Sequence, residues 1–258
     1  MTALKVAGEI IELSLIVAAL YMGIGTYARY RPLAWSPNAA TRRLAIVAML
    51  VLAVTGIKFA EDALAGESGP IDEAILRFIH RHVPGESAPF FGAITDTASW
   101  RVLLPLTLGT AVVLLLAKRR LEALLVACST VAAAVIVYVL KTVVARARPE
   151  LWDTAWYWGS SFPSGHTLVV AAFATAAALS VARISLRWRY VAGSVAAVWI
   201  LLVAFSRLVL GAHWPTDVLV AACIGGFLPL LMSFAFPSWT HVAKPISNSV
   251  QQRRNSSR

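Results

Sequence analysis

SRLVLGAHWPTD, Ser206 to Asp217, sets an Arg, a His and an Asp between two long apolar runs, Tyr190 to Leu210 and Val218 to Phe236. Ionisable side chains at membrane depth are expensive, and they are kept where they face a protein interior or a water-filled site. Pro215 suits the first turn of a helix, where its missing N–H costs nothing, and the run beyond it continues that helix. His213 then precedes a helix N-terminus. Asp217 follows one helical turn later, close enough for its carboxylate to accept a hydrogen bond from one imidazole nitrogen. Such a bond fixes the tautomer and leaves the other nitrogen as nucleophile or base. Taken alone, the HxxxD spacing also reads as a His and an Asp that cap a helix.

Composition settles the medium. Of 258 residues, 59% are hydrophobic and 14% charged, with mean hydropathy +0.71. That excludes an ordinary soluble domain and indicates an all-α, multi-spanning membrane protein. Seven apolar segments are each roughly long enough for a bilayer core of about 20 helical residues. They cover Ile10–Tyr27, Leu44–Leu64, Val102–Ala117, Leu121–Val144, Thr167–Ala182, Tyr190–Leu210 and Val218–Phe236, the third and fifth extending toward Ser99 and Gly165. Glu9 and Glu12, a long apolar run and the lack of a small-x-small cleavage site make the first segment a span rather than a signal peptide. Cys128 and Cys223 fall inside apolar runs and read as core residues, not as a disulfide or metal pair.

The net charge of +10 is a topology signal, and no nucleic-acid partner is expected. One set of loops and the C-terminal tail carry 14 of the 23 Lys and Arg residues, from Arg29, Arg31, Arg42 and Arg43 to Lys244 and Arg258. The positive-inside rule makes that side cytoplasmic and sets the N-terminus outside. The tail from Ser238, polar and basic, reads as a disordered cytoplasmic end able to touch anionic lipid. Between the second and third spans lies a long external segment, Gly66 to Trp100. Ile71, Ile75, Phe78, Ile79 and His82 recur there at helical spacing, with Asp72, Glu73, Arg77 and Arg81 assigned to the other face. That predicts an amphipathic interfacial helix forming a collar or lateral gate.

Three polar stations emerge on one external face. KTVVARARP closes the fourth span; Lys141 and Arg148 lie about two turns apart if helix persists, while Pro149 disfavours it. SSFPSGHT, Ser160 to Thr167, opens the fifth span, where Ser caps, Gly admits close backbone approach and free N–H groups attract an anion beside His166. The third station is the opening stretch, with Arg207 ending the sixth span. Together they supply three cations, helix N-terminal amides and two histidines, one with a carboxylate partner. A phosphate group suits such a site. No metal ligand set or other cofactor site is evident.

These three stations resemble the type 2 phosphatidic acid phosphatase (PAP2) family, whose pattern KxxxxxxRP, PSGH and SRxxxxxHxxxD reads here as Lys141 to Pro149, Pro163 to His166 and Ser206 to Asp217. The resemblance implies a six-helix transmembrane bundle with one additional N-terminal helix. It divides the chain into residues 1–43 (first span and cytoplasmic loop), 44–237 (catalytic membrane domain) and 238–258 (tail). It further implies a metal-independent, cofactor-free lipid phosphate or diphosphate phosphatase working through a phosphohistidine. Carried over, His213 attacks phosphorus, Asp217 orients it, and His166 protonates the leaving group and later activates water. Lys141, Arg148, Arg207, the Ser164 hydroxyl and the Ser164 and Gly165 amides bind phosphate oxygens, with Arg146 and Ser206 as secondary candidates. Trp152, Trp156, Tyr157, Trp158 and Trp214 form an aromatic belt near the site. A phosphotransferase using the same phosphohistidine, or a phospholipid binder without turnover, remain the competing readings. Charges confined to one face, rather than strung across the bundle, argue against a transport path.

Overall fold

The computed structural model describes residues 3–30, 39–152 and 158–235. Among them run nine α-helices: α1 (Ala3–Tyr30), α2 (Ala39–Leu64), α3 (Gly69–His82), α4 (Ala88–Asp96), α5 (Trp100–Leu116), α6 (Arg120–Val143), α7 (Gly165–Ile184), α8 (Arg189–Val209) and α9 (Pro215–Ala235). Each of the seven expected segments is a helix. Among the described residues, six stretches are long and apolar enough to cross a membrane: Arg43–Leu64, Gly85–Leu116, Arg120–Val143, Gly165–Ile184, Leu186–Val209 and Pro215–Phe234. The seventh, α1, carries a shorter apolar stretch, Ile11–Thr26, and packs on α2.

Helix α7 is the axis of the bundle and packs against α6, α8 and α9. Its sequence explains the role: Ala171, Ala172, Ala174 and Ala176 are all buried, and small side chains let helices approach closely where lipid offers no hydrophobic drive for association. The crossing with α9 is closer still. A Cβ on Gly225 would stand 2.4 Å from the Leu168 carbonyl oxygen and 2.6 Å from Ala171 Cβ, so only glycine fits there. Around α7, one apolar cluster joins Leu103, Leu125, Val126, Val170, Phe173 and Val203, and a second joins Ala133, Leu168, Ala172 and Ala221. Cys223 is buried as expected, whereas Cys128 is exposed on the flank of α6; both are free thiols.

The segment between the second and third spans folds as α3, a single 3₁₀ turn at Gly85–Ser87, and α4. Its amphipathic helix exists, but the assigned faces require correction. Ile71, Ile75 and Phe78 are exposed, while Asp72, Leu76 and Ile79 are buried against the protein. Glu73 and Arg77 do pair on the open face at 2.6 Å. In water an apolar stripe turns inward, but at a bilayer surface it can turn toward lipid and leave the inner face free for polar contacts. Lys58 pairs with Asp62 at 2.9 Å at the end of α2. The tail from Ser238 and the aromatic residues Trp156 and Tyr157 lie outside the described residues.

Candidate active site

One end of the bundle gathers the end of α6, the start of α7, the end of α8 and the start of α9. Lys141 stands in the last turn of α6, which stops at Val143. Residues 144–150 are not helical, so Arg148 does not share a helix face with Lys141 as the spacing had suggested. Instead the backbone leaves the helix with Val144 extended at φ −91°, ψ 112°. Burial then alternates: Val144, Arg146 and Arg148 are partly buried and Ala145 and Ala147 exposed, the two-residue period of extended chain. Both arginines therefore turn inward.

A cleft of about 490 Å³ opens at this end. Its polar lining is Lys141, Arg148, His166, Arg207 and His213, and Gly165 borders it. Its apolar wall is Leu103, Ala134, Val137 and Val169, with Trp100 and Trp158 also lining it. The cations are held by main-chain oxygens. Lys141 Nζ donates to the Ser160 carbonyl at 2.5 Å; Arg148 donates to the carbonyls of Ala212 at 2.7 Å and Trp158 at 3.0 Å. Three cations on one cleft wall favour an anion there.

Arg207, 1% exposed, is the largest fully buried side chain described. Its Nη1 reaches Thr95 Oγ1 of α4 at 3.5 Å. The Ser206 hydroxyl donates to the Val203 carbonyl at 2.7 Å, which leaves Thr95 to donate to Ser206 at 2.6 Å and to offer its lone pairs to Arg207. Ser206 is thus occupied in seating α4 against α8. Thr95 escaped notice in the sequence because a threonine near the end of a short apolar helix carries no signal of its own.

At the start of α7, Ser164 is the N-cap and is fully buried. Its hydroxyl pairs with Thr167 Oγ1 at 3.0 Å. Its amide donates to the Asp217 carbonyl at 3.3 Å, so the Ser164 amide expected to bind phosphate is already committed. Gly165 is needed for packing as well: a Cβ there would meet Val137 Cγ1 at 3.2 Å and Lys141 Cε at 3.8 Å. His166 is half-buried on the cleft wall.

The partner expected for His213 is corrected. Its Nδ1 lies 2.7 Å from the Ser161 carbonyl oxygen and 3.8 Å from Asp217 Oδ2, so the hydrogen bond goes to the main chain. A carbonyl only accepts, which places the proton on Nδ1 and leaves the Nε2 lone pair unprotonated. Burial, reinforced by the Arg207 charge, pushes His213 down to about 4, so the ring is neutral at ordinary pH. Asp217 is fully buried. Its Oδ2 accepts from the Ser161 hydroxyl and, at 3.0 Å, from the Trp214 amide; Oδ1 accepts from Arg146. The carboxylate thereby holds Ser161, whose carbonyl in turn holds the imidazole. No side-chain pattern advertises a main-chain carbonyl, so this step was not legible.

Two further residues stand at the site. Arg146 bridges Asp217 to Asp72 of α3, with Nη2 to Asp72 Oδ2 at 2.8 Å. Asp72, 1% exposed, had been assigned to the open face of its helix. The signal available was its register with Leu76 and Ile79. Trp214 Nε1 donates to the Ala147 carbonyl at 2.9 Å, and Trp152 stacks on His80 with centroids 4.1 Å apart.

The helices and this cleft define a multi-pass membrane protein whose bundle carries a cation-rich site at one end. Residues 122–240 match the model of the PAP2 superfamily. An undecaprenyl-diphosphatase of Sulfolobus acidocaldarius is 32% identical over 128 residues, 47% of this chain and 59% of that one. A lipid A 1-phosphatase of Rhizobium johnstonii is 35% identical over 107 residues, 38% of this chain and 41% of that one. Phosphatidylglycerophosphatase B of Escherichia coli is 42% identical over 66 residues, about a quarter of each chain. The matches thus span less than two thirds of these relatives' lengths. The crystal structure of a transmembrane PAP2 type phosphatidylglycerolphosphate phosphatase from Bacillus subtilis superposes with a TM-score of 0.66 at 23% identity, over 72% of this chain and 94% of that one; this likeness is one of fold.

Proposed function

We propose that the protein is a membrane lipid phosphatase that hydrolyses a phosphomonoester or diphosphate headgroup through a phosphohistidine, at the extracytoplasmic face and without a metal. The observation that carries this reading is the cleft itself, in which three cations and two histidines adjoin an apolar wall at one end of the spans. An amphiphile fits both parts: its phosphate beside Lys141, Arg148 and Arg207, its chain against Leu103, Ala134 and Val137. The relatives named above act, by their names, on lipid-linked phosphates, which supports the substrate class.

In the proposed reaction the Nε2 lone pair of His213 attacks phosphorus, and the bond from phosphorus to the leaving oxygen breaks. His166 gives that oxygen a proton. It then takes a proton from water, whose oxygen attacks the phosphohistidine; the P–N bond breaks and its electron pair returns to Nε2. The arginines and the lysine hold the equatorial oxygens and stabilise their developing charge. The positive-inside distribution of the basic loops supports an external site and a cytoplasmic C-terminus.

The experiment is phosphate release by detergent-purified protein in EDTA, over a panel of lipid monophosphates and diphosphates, with His213→Ala alongside. The expected result is a clear substrate preference that vanishes in the variant. Full activity in His213→Ala removes the proposed nucleophile, and inhibition by EDTA that added metal reverses removes the metal-free mechanism. Transfer of label to a second lipid in place of water replaces the hydrolase reading with a transferase.

A further inference from the structure

Only one side of Asp217 supports His213. Its Oδ2 faces His213 and holds Ser161 and Trp214; its Oδ1 faces Arg146, and Arg146 faces a second buried carboxylate. Both oxygens of that carboxylate, Asp72, accept hydrogen bonds. Oδ1 takes the Thr216 amide at 3.0 Å, and Oδ2 takes the Thr216 hydroxyl at 2.6 Å, the Ser68 hydroxyl at 2.9 Å and Arg146 at 2.8 Å. Thr216 precedes Asp217, so a residue of α3 grips both the start of α9 and the arginine behind the carboxylate.

We infer that Asp72 is a positioning residue that sets the charge Asp217 presents to His213, an inference that rests on the reaction proposed above. The reasoning is electrostatic. Arg146 with Asp217 alone would be a neutral pair, and a neutral pair does little for the positive charge that grows on the imidazole as Nε2 bonds to phosphorus. Arg146 with two carboxylates carries a net charge of minus one. Because Asp72 shares the guanidinium through Nη2, Asp217 keeps negative charge on the side that faces His213, in a buried setting where such charge acts strongly.

The bland account is that Asp72 simply caps the N-terminus of α9 by accepting the Thr216 amide. Asp72→Asn separates the two, because the asparagine oxygen still accepts that amide while the charge is gone. The inference expects Asp72→Asn to lower kcat by about 10- to 100-fold, the scale of loss when reacting groups are imperfectly arranged. KM changes by less than about threefold, since Lys141, Arg148 and Arg207 are untouched. Asp72→Asn combined with Arg146→Gln restores the net charge of minus one and recovers part of the lost kcat. Wild-type kcat in Asp72→Asn, or a double variant whose loss is the product of the two single losses, overturns the inference.

Orthovanadate, a phosphate analogue that accepts a bond from a nucleophilic nitrogen, gives a reading without turnover and without the double variant. Its affinity is expected to fall at least about tenfold in Asp72→Asn, a 1.4 kcal/mol effect. Unchanged affinity overturns the inference. A wild-type protein that binds orthovanadate yet releases phosphate from no lipid overturns the proposed function instead, and the affinity of the variant still decides the role of Asp72.

Discussion

Buried ion pairs close both ends of the bundle, and they are built differently. At the end away from the cleft, Glu122 of α6 and Arg183 of α7 meet at 3.6 Å, with side chains 10% and 7% exposed. At the cleft end, Arg146 is locked between Asp72 and Asp217, and each of those carboxylates also accepts a main-chain amide. The first pair joins two neighbouring helices. The second ties α3, the extended segment after α6 and the start of α9 into one cluster beside a histidine and an open cleft. Burial of charge is common to both, so burial alone does not mark a site. The mark is convergence of several separate segments on groups whose bonds are directional and whose neighbours include a cavity.

Four variants or titrations press on that contrast. Asp217→Asn should cost the most, at least about a hundredfold in kcat, the low end of what positioned acid–base groups supply. Steady-state kinetics on the preferred lipid checks it, and near-normal turnover would reduce the cleft-end cluster to a staple like the other. Glu122→Gln should behave in the opposite way. Leaving Arg183 buried beside a neutral partner costs about 3 kcal/mol, seen as a lower melting temperature in detergent, while kcat stays within about twofold. A large loss of kcat at unchanged stability would break the distinction between the ends. Thr95→Val removes the hydroxyl beside Arg207 and should raise KM by about three- to tenfold with little change in kcat, as expected when a charge-assisted hydrogen bond is lost.

The smallest effect is on pH. His213 sits near 4 in the folded protein, below the usual histidine value, so between about pH 6.5 and 4 the unfolded chain binds a proton there that the folded chain refuses. Stability contributed by this group is complete above that window and declines as pH falls through it. Unfolding followed from pH 7 to 4.5 should show a shallower decline in His213→Gln than in wild type. A decline of equal slope would mean that the buried ring already accepts its proton in the folded state.

The sequence exposed the spans well, because the runs of apolar residues are governed by the bilayer and have nothing else to satisfy. Lys141, Arg148, His166, Arg207 and His213 were legible for the opposite reason: charge at that depth stands out. What stayed hidden depended on contacts between distant segments. Asp72 was assigned outward since one helix in isolation offers two faces and no rule for which one meets lipid. Ser161 acts through its carbonyl, which every residue possesses. The break of α6 at Val143 was signalled by Pro149, yet the alternation through Val144, Arg146 and Arg148 becomes meaningful only once Asp217 and the Ala212 carbonyl are seen to receive the two arginines.

Gly225 gives the close crossing of α7 and α9 a mechanical meaning. Ten residues separate it from the start of α9 at Pro215, about 15 Å at the rise of an α-helix. The start of α7 is only three residues above Leu168, whose carbonyl Gly225 nearly touches. The crossing is therefore a fulcrum, with His213 and Asp217 at the end of a long arm and His166 at the end of a short one. A methyl group inserted at the pivot spreads the arms, and the longer arm travels further. A change at Gly225 would thus reach the two histidines through the helices that carry them.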